Sequence, residues 1–232
     1  MIVLDNVTKS YRTDRGQLRR INALDAVNLH IEEGEFVVVS GPSGSGKTTL
    51  LMTVAGMLRP TSGTVSVNKT NLYAMSVRER AKFRAENIGF VFQMFHLVPY
   101  LDVTENVLLA AGVVSRKPAR RLAGQNRNAQ AQNLIQRFGL AGRNHHRPAE
   151  LSAGEKQRTA VARALLNNPK VILADEPTGN LDGDNAAAVL THLAEFHQAG
   201  GTVVLATHGP AAEQFADRII HLQNGSISTP AS

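Results

Sequence analysis

The sequence of 232 residues contains no cysteine, which excludes disulfide bonds and cysteine-ligated zinc or iron–sulfur sites. Long apolar runs are also missing. The longest candidate, residues 107–114, falls far short of the roughly 18–20 residues that a helix needs to cross a bilayer. The N-terminus carries Asp5 and lacks the basic-then-apolar layout of a signal peptide. We therefore expect a chain that stays in the cytosol unless a partner tethers it to a membrane.

Aromatic residues are scarce at 5%, whereas apolar residues reach 43% and the net charge is +6. This apolar share suits a folded protein, and the length allows one large α/β domain or two small lobes. Much of the positive excess lies between Arg116 and Arg147. The basic stretch indicates either a nucleic-acid or anionic-lipid surface, or a solvated helical face near a membrane or partner. Because almost no aromatic residues are interleaved for base stacking, the second interpretation is favoured.

A complete phosphate-binding loop occupies residues 41–48, which read Gly-Pro-Ser-Gly-Ser-Gly-Lys-Thr and fit the pattern G-x-x-x-x-G-K-[ST]. The apolar residues 36–39 predict a buried strand before it, and residues 49–55 predict a helix after it. Backbone N–H groups of the loop and of the helix start would surround phosphate oxygens. Lys47 is expected to reach the β- and γ-phosphates, and the Thr48 hydroxyl to bind Mg²⁺. The predicted nucleotide-binding residues here are Gly41, Pro42, Ser43, Gly44, Ser45, Gly46, Lys47, Thr48 and Thr49.

Two carboxylates, Asp175 and Glu176, follow the apolar residues 171–174. A buried parallel strand delivers such polar residues to its carboxyl end, beside the phosphate loop. Asp175 is expected to hold Mg²⁺, directly or through water, and Glu176 to orient and deprotonate an attacking water. A strand that simply ends in charges is the alternative, but the phosphate loop upstream favours the catalytic interpretation.

The small residues 151–154 lead into a helix and predict a second anion site. The spacing from Ser152 to Glu155 also fits a plain capping box, and both interpretations can hold together. Since one chain needs only one γ-phosphate site, this second site would serve the nucleotide of another subunit.

Hydrophobic patterning predicts the order of the elements along the chain. A polar loop is expected at residues 12–22. Strands are predicted at residues 2–7, 23–31, 36–39, 63–67, 88–93, 171–174, 202–206, 218–222 and 226–228. Helices are predicted at residues 49–55, 76–86, 104–114, 119–138, 155–168 and 184–198, with a further short helix before residue 218. The fold class is α/β, with a mostly parallel core sheet, an N-terminal antiparallel β region and an inserted α-helical subdomain. We expect one domain over 1–232, with the core and β region at 1–94 and 166–232 and the helical part at 95–165.

Over essentially its whole length the chain resembles the nucleotide-binding subunit of an ATP-binding-cassette (ABC) transporter, a P-loop NTPase. The motifs that carry the resemblance stand in the family's order. They are the phosphate loop, Gln93 after a strand, Leu-Ser-Ala-Gly-Glu at 151–155, Asp175-Glu176, Leu181-Asp182 and His208 after a strand.

The resemblance implies further roles. Tyr11 would stack on adenine, and Gln93 would sense Mg²⁺ as a ligand and couple to the membrane partner. Ser152 and Gly154 would reach the γ-phosphate of an opposing subunit, and Asp182 would link the two sites. His208 would contact the γ-phosphate and help to position Glu176, so that the catalytic residues are Glu176, His208 and Lys47, with Thr48, Gln93 and Asp175 at the metal. The implied cofactors are ATP and Mg²⁺, bound between two copies arranged head to tail.

Residues 90–99, 104–107 and 174–182 resemble the branch that contains macrolide exporters, lipoprotein-releasing complexes and the cell-division ATPase. The partner implied is a separate permease with few spans and a large extracytoplasmic domain, which would place the chain at the cytoplasmic face of the membrane. Ala153 departs from the usual glycine, which costs little if its φ is negative and roughly 1 kcal/mol if it is positive. A cassette ATPase acting on nucleic acid or ribosomes, and a small-molecule kinase, remain as alternatives.

Overall fold

The computed structural model describes residues 1–13, 19–113 and 120–228. Arg116 and Lys117, part of the basic stretch, lie outside the described residues. The strands are β1 (Ile2–Thr13), β2 (Arg19–Ile31), β3 (Phe36–Ser40), β4 (Ser62–Val67), β5 (Thr70–Asn71), β6 (Ile88–Val91), β7 (Val171–Asp175), β8 (Thr202–Thr207), β9 (Arg218–Gln223) and β10 (Ser226–Ser228). The helices are α1 (Lys47–Val54), α2 (Val77–Asn87), α3 (Val103–Leu108), α4 (Arg120–Arg137), α5 (Ala153–Leu165) and α6 (Gly183–Gln198).

The core sheet has the strand order β10-β9-β3-β8-β7-β6. All neighbours from β9 to β6 pair in parallel, and only β10 is antiparallel to β9. Strands buried on both faces read as unbroken apolar runs, and Phe36, Val37, Val38 and Val39 are all fully buried. Val37 and Val39 pack in one core with α1 and the N-terminal strands, while Phe36 and Val38 face the other core with α3 to α6.

The second sheet has the order β2-β1-β4-β5 and is antiparallel throughout. Around the first turn of this sheet, β1 ends later and β2 begins earlier than the sequence predicts. The polar loop expected at 12–22 is wrong at both ends, because Arg12 pairs with Arg20 and Tyr11 with Ile21. Cross-strand partners thus extend the hairpin through polar residues.

Three helices lie in sequence between β6 and β7, as predicted, with shifted ends. Strand β6 stops at Val91 and not at Gln93, and α3 is followed by a 3₁₀ turn, Leu109–Val113. Residue 114, the predicted helix end, is outside the described residues. The start of α5 comes two residues early, because the side chain of Ser152 accepts a hydrogen bond from the N–H of Glu155 and caps the helix. The boundaries 95 and 165 of the helical part stay a prediction.

Over the described ranges, no helix combines the length and the apolar character that spanning a bilayer requires.

Candidate nucleotide site

The carboxyl ends of β3, β6, β7 and β8 meet at one edge of the core sheet. The phosphate loop leaves β3 there, Gln93 follows β6, Glu176 follows β7 and His208 follows β8. Together they surround a cavity of about 520 Å³. Its lining residues are Ala23, Pro42, Ser43, Gly44, Gly46, Lys47, Thr48, Thr49, Gln93, Glu176 and His208. The sheet topology therefore assembles most of the predicted site from distant parts of the sequence.

The start of α1 is left open toward this cavity. Its first flanking residue, Gly46, has φ 109° and provides no side-chain cap. By contrast, α2, α3, α5 and α6 each begin with a side-chain cap. A side chain at Gly46 would collide with the Ala23 carbonyl, so only glycine fits. The free N–H groups of a helix start attract anions, and an anion in the cavity would fill the place of the missing cap.

Lys47 is 6% exposed and is surrounded by oxygen atoms. Its Nζ donates to the Gly41 carbonyl at 2.7 Å and to the Pro42 carbonyl at 3.2 Å, and it lies 3.6 Å from Glu176 Oε1. Nearby, the buried Oγ of Ser45 has no hydrogen-bond partner among the described residues. A buried polar group without a partner is rare. The loop therefore offers both a cation and an unsatisfied hydroxyl near the place where phosphate oxygens would lie.

Asp175 contacts Thr48, one of the residues that line the cavity. The Thr48 hydroxyl donates to Asp175 Oδ1 at 3.1 Å. Burial raises the pKa of Asp175, and the hydrogen bond from Thr48 opposes the rise. Within the described part of the chain, no cluster of three or more His, Cys, Asp or Glu could hold a metal alone. A hydroxyl and one carboxylate beside a phosphate loop still fit Mg²⁺, which commonly binds through few protein oxygens together with phosphates and water.

Glu176 adopts a left-handed backbone conformation with φ 45°, which costs a non-glycine residue roughly 1–2 kcal/mol. Its N–H donates to the Ala206 carbonyl at 2.9 Å, which holds the turn. The carboxylate then points across the cavity, and its Oε2 lies 2.8 Å from His208 Nδ1. Strain of this kind collects at functional sites, and here it directs a carboxylate and an imidazole toward the same space.

Seven predicted nucleotide or metal residues do not line the cavity. They are Gly41 and Ser45 of the phosphate loop, Asp175, which accepts from the lining residue Thr48, and Tyr11, Ser152, Gly154 and Asp182. Tyr11 is 44% exposed on β1, with Lys9 Nζ 5.2 Å from its ring centre. The adenine role of Tyr11 stays a prediction. Ala23, on β2, does line the cavity, and no side-chain chemistry in the sequence could have pointed to an alanine.

The N-terminus of α5 shows the capping box that the spacing predicted. Ser152 N–H donates to Glu155 Oε2 at 2.8 Å, and Glu155 N–H donates to Ser152 Oγ at 3.2 Å. The bond from the Ser152 N–H lowers the pKa of Glu155. Ala153 is the first residue of the helix and its φ is not positive. The backbone penalty considered for alanine at this place therefore does not arise.

Asp182 plays the same part for α6, since its carboxylate accepts from the Asn185 N–H at 2.9 Å. The Asn185 side chain also accepts from Arg158 of α5 at 2.7 Å, and a side chain at Gly154 would collide with it. Asn185 thus joins the two predicted partner-facing segments within one chain. Asn185 was not among the predicted site residues, although Asp182 and Asn185 have the spacing of a helix cap.

A family model described as "ABC transporter" matches residues 24–179. The chain belongs to the ABC transporter family. Among ABC proteins it is 42% identical over 231 residues to the uncharacterised ATP-binding protein Rv0986 of Mycobacterium tuberculosis (strain ATCC 25618 / H37Rv), covering 98% of this chain and 88% of the relative. It is 40% identical to the macrolide export ATP-binding/permease protein MacB of Hyphomonas neptunium (strain ATCC 15444), covering 98% of this chain but 34% of that protein.

Solved ABC cassettes share the whole fold. A dimeric structure of MJ0796, a cassette found in Methanocaldococcus jannaschii, gives a TM-score of 0.91 at 40% identity, and covers 99% of this chain and 97% of that one. A dimeric post-hydrolysis state of MJ0796, bound to ADP and Pi, gives a TM-score of 0.87 at 38% identity with the same coverage. The family, the fold class and the enzyme class predicted from the sequence are confirmed: this ABC cassette is an ATPase and the ATP-binding subunit of a transporter.

Proposed function

We propose that two copies of the chain hydrolyse Mg-ATP at their shared interface and pass the resulting motion to a separate membrane permease. One observation carries the proposal. The cavity holds the phosphate loop, Glu176 and His208, while the capped start of α5 lies outside it. A single chain therefore contains one half of each site, and the dimeric MJ0796 structures support completion of the site by a second copy.

Residues of the cavity divide the chemistry among them. The open start of α1 and Lys47 bind the phosphates. Glu176 accepts a proton from the attacking water, and His208 holds Glu176 and faces the γ-phosphate. Thr48, Asp175 and Gln93 would hold Mg²⁺, and a bound Mg²⁺ would supply positive charge to offset charge on the transferring group.

Ser152, Gly154 and Asp182 act in the second copy. Ser152 and Gly154 approach the γ-phosphate of the opposite chain, where the start of α5 adds its positive end. Asp182 and Asn185 lie beside them, so that both segments meet the opposite nucleotide together. Loss of the γ-phosphate removes this bridge and opens the pair, as in other nucleotide switches.

The permease contacts the surface that follows Gln93. Met94 and Tyr100 expose 67% and 73% of their areas there. A groove of about 190 Å³ lies between α2 and α5, and its lining includes the apolar Met57, Ile88 and Phe90 together with Arg84. A short permease helix with an acidic residue would match this mixture of apolar and positive surface. MacB carries "macrolide export" in its name, and the branch suggests export, lipoprotein release or force transmission for this chain, acting from the cytoplasmic face.

The test uses a tagged Glu176→Gln protein, which should bind ATP and not turn it over. Sedimentation should show a dimer with Mg-ATP and a monomer with Mg-ADP. Capture from detergent-solubilised membranes with Mg-ATP should recover a permease with few spans and a large outer domain. A monomer in both nucleotides would contradict the shared site. Recovery of nucleic acid in a salt-sensitive manner would instead favour a cassette that acts on nucleic acid.

A further inference from the structure

Arg163 joins the end of α5 to the loop that follows Gln93. Its guanidinium donates one hydrogen bond to the His96 carbonyl at 2.6 Å and another to the Phe95 carbonyl at 2.7 Å. Arg163 lies on the third turn of α5, far along the helix from the capped start at Ser152. Two parallel donors on one planar group fix both the distance and the direction of what they hold.

The position of Arg163 is not explained by an ion pair with a carboxylate of the described residues. Among the described residues, Arg137, Arg143 and Arg218 each pair with a glutamate, whereas Arg163 pairs with none. Burial alone lowers the pKa of Arg163, with no opposing charge to raise it. A half-buried cation needs hydrogen-bond acceptors in place of the water that burial removes. The two carbonyl oxygens are those acceptors. The contact is therefore between the helix and the loop backbone specifically.

The loop needs such a support. Phe95 and His96 are consecutive non-glycine residues with φ 58° and 46°, both in the left-handed region that side chains disfavour. Such a conformation persists only when its surroundings fix it. One further tether lies upstream, where Asn180 Nδ2 donates to the Gln93 carbonyl at 3.3 Å. The segment from 93 to 96 is thus held by the turn after β7 at one end and by α5 at the other.

We propose that Arg163 is a positioning residue that holds residues 95–96 left-handed and thereby keeps Gln93 directed into the nucleotide cavity. The effect on the loop stands by itself, and the effect on hydrolysis rests on the proposed function. Helix α5 also sends Gln157 Nε2 to the Pro177 carbonyl at 2.7 Å, next to Glu176. A displacement of α5 at its capped start would therefore reach Gln93 and the segment after Glu176 together.

The experiment compares Arg163→Met, which keeps the apolar stem and loses both donors, with Arg137→Met as the matched control. Arg137 ends α4 and donates to the exposed Glu195 at 2.7 Å, away from the cavity. Hydrogen exchange without nucleotide should accelerate on the order of tenfold in residues 93–98 of Arg163→Met, with exchange in α1 unchanged. ATP affinity, measured with a fluorescent analogue, should stay within about twofold, while kcat should fall roughly 10- to 100-fold. Arg137→Met should match the wild type throughout.

Wild-type exchange at 93–98 in a folded Arg163→Met protein would overturn the proposal, and so would wild-type kcat. If Arg163→Met does not fold, Arg163→Lys decides, because a single ammonium cannot place two fixed donors on both carbonyls. It should then show intermediate exchange at 93–98, and full wild-type protection would overturn the proposal. A wild-type protein without ATPase activity would contradict the proposed function alone, since the exchange measurement needs no nucleotide.

Discussion

The two ends of the proposed site satisfy their polar groups in different ways. At the phosphate-loop end, hydrogen bonds cross between elements: Thr48 of α1 meets Asp175 of β7, and Glu176 meets His208 after β8. At the starts of α5 and α6 the capping bonds are local, since Ser152 accepts from Glu155 and Asp182 accepts from Asn185, each three residues apart, and Arg158 of α5 adds a bond to Asn185 of α6. The groups of the first end are joined by contacts between elements, whereas each helix of the second end carries its own cap in addition to the contact between α5 and α6.

This difference separates the groups proposed for hydrolysis from the groups proposed to bind the nucleotide of a second copy. The phosphate-loop end forms a cavity with its reactive groups already in contact, so its variants should change binding or turnover within one chain. The capped helix starts lie outside the cavity, so their variants should act on stability and on pairing. Each of the following changes tests that separation.

The largest effect is expected for Glu176→Gln. The amide keeps the shape and can still meet His208, but it cannot accept the proton of water. Steady-state phosphate release should fall roughly 10²- to 10⁴-fold, while ATP affinity measured by calorimetry stays close to wild type. Turnover near the wild-type value would remove Glu176 from the role of general base.

Lys47→Ala should weaken ATP binding itself, roughly 10- to 100-fold, because a charged hydrogen bond to phosphate is lost. Titration calorimetry with ATP measures the change. Lys82→Ala, on the exposed face of α2 where it pairs with Glu86, is the control and should bind like the wild type. If Lys47→Ala binds ATP as tightly as the wild type, the phosphate-loop assignment is wrong.

Gly154→Ala should lower the free energy of unfolding by about 1–3 kcal/mol, because the added methyl group would collide with the Asn185 side chain. ATP affinity of the single chain should stay unchanged, since Gly154 lies outside the cavity. Urea unfolding and calorimetry give the two quantities. Gly142→Ala has open space around it and should change neither. Loss of ATP affinity in Gly154→Ala would break the comparison between the two ends.

The smallest effect is expected for Asp175→Asn without nucleotide. Because burial raises the pKa of Asp175, the contribution of this carboxyl is most favourable below the ordinary aspartate pKa and is lost as the pH rises through the raised value. At pH 7.5 the charged carboxylate therefore destabilises the fold. Asparagine keeps an oxygen for Thr48 without the charge, so Tm should rise by roughly 2–4 °C at pH 7.5. The gain should disappear near pH 4.

Differential scanning calorimetry at both pH values provides the measurement, with the exposed Asp5→Asn as control. Equal or lower Tm for Asp175→Asn at pH 7.5 would show that the carboxylate is stabilised and not penalised by its surroundings.

The sequence predicted the core well because its signals are local. The apolar runs at β3, β7 and β8 and the glycines of the phosphate loop report their own conformations, and their carboxyl ends must meet in a parallel sheet. It failed where a distant partner decides the outcome. Pairing across the first hairpin extended β1 into the expected loop, and nothing near Arg163 indicates that its acceptors lie 67 and 68 residues away. No motif in the sequence marks Asn185 or Ala23 as a site residue. Only the fold brings Ala23 to the cavity and Asn185 to Arg158.

The open start of α1 makes ATP a component of the protein's folding equilibrium. A ligand present at 100 times its dissociation constant adds about 2.7 kcal/mol to the stability of the form that binds it. When ATP is depleted, a larger fraction of the chains unfolds and becomes accessible to proteases. The abundance of this ATPase would then follow the energy state of the cell, through turnover of the chain and without any dedicated sensor.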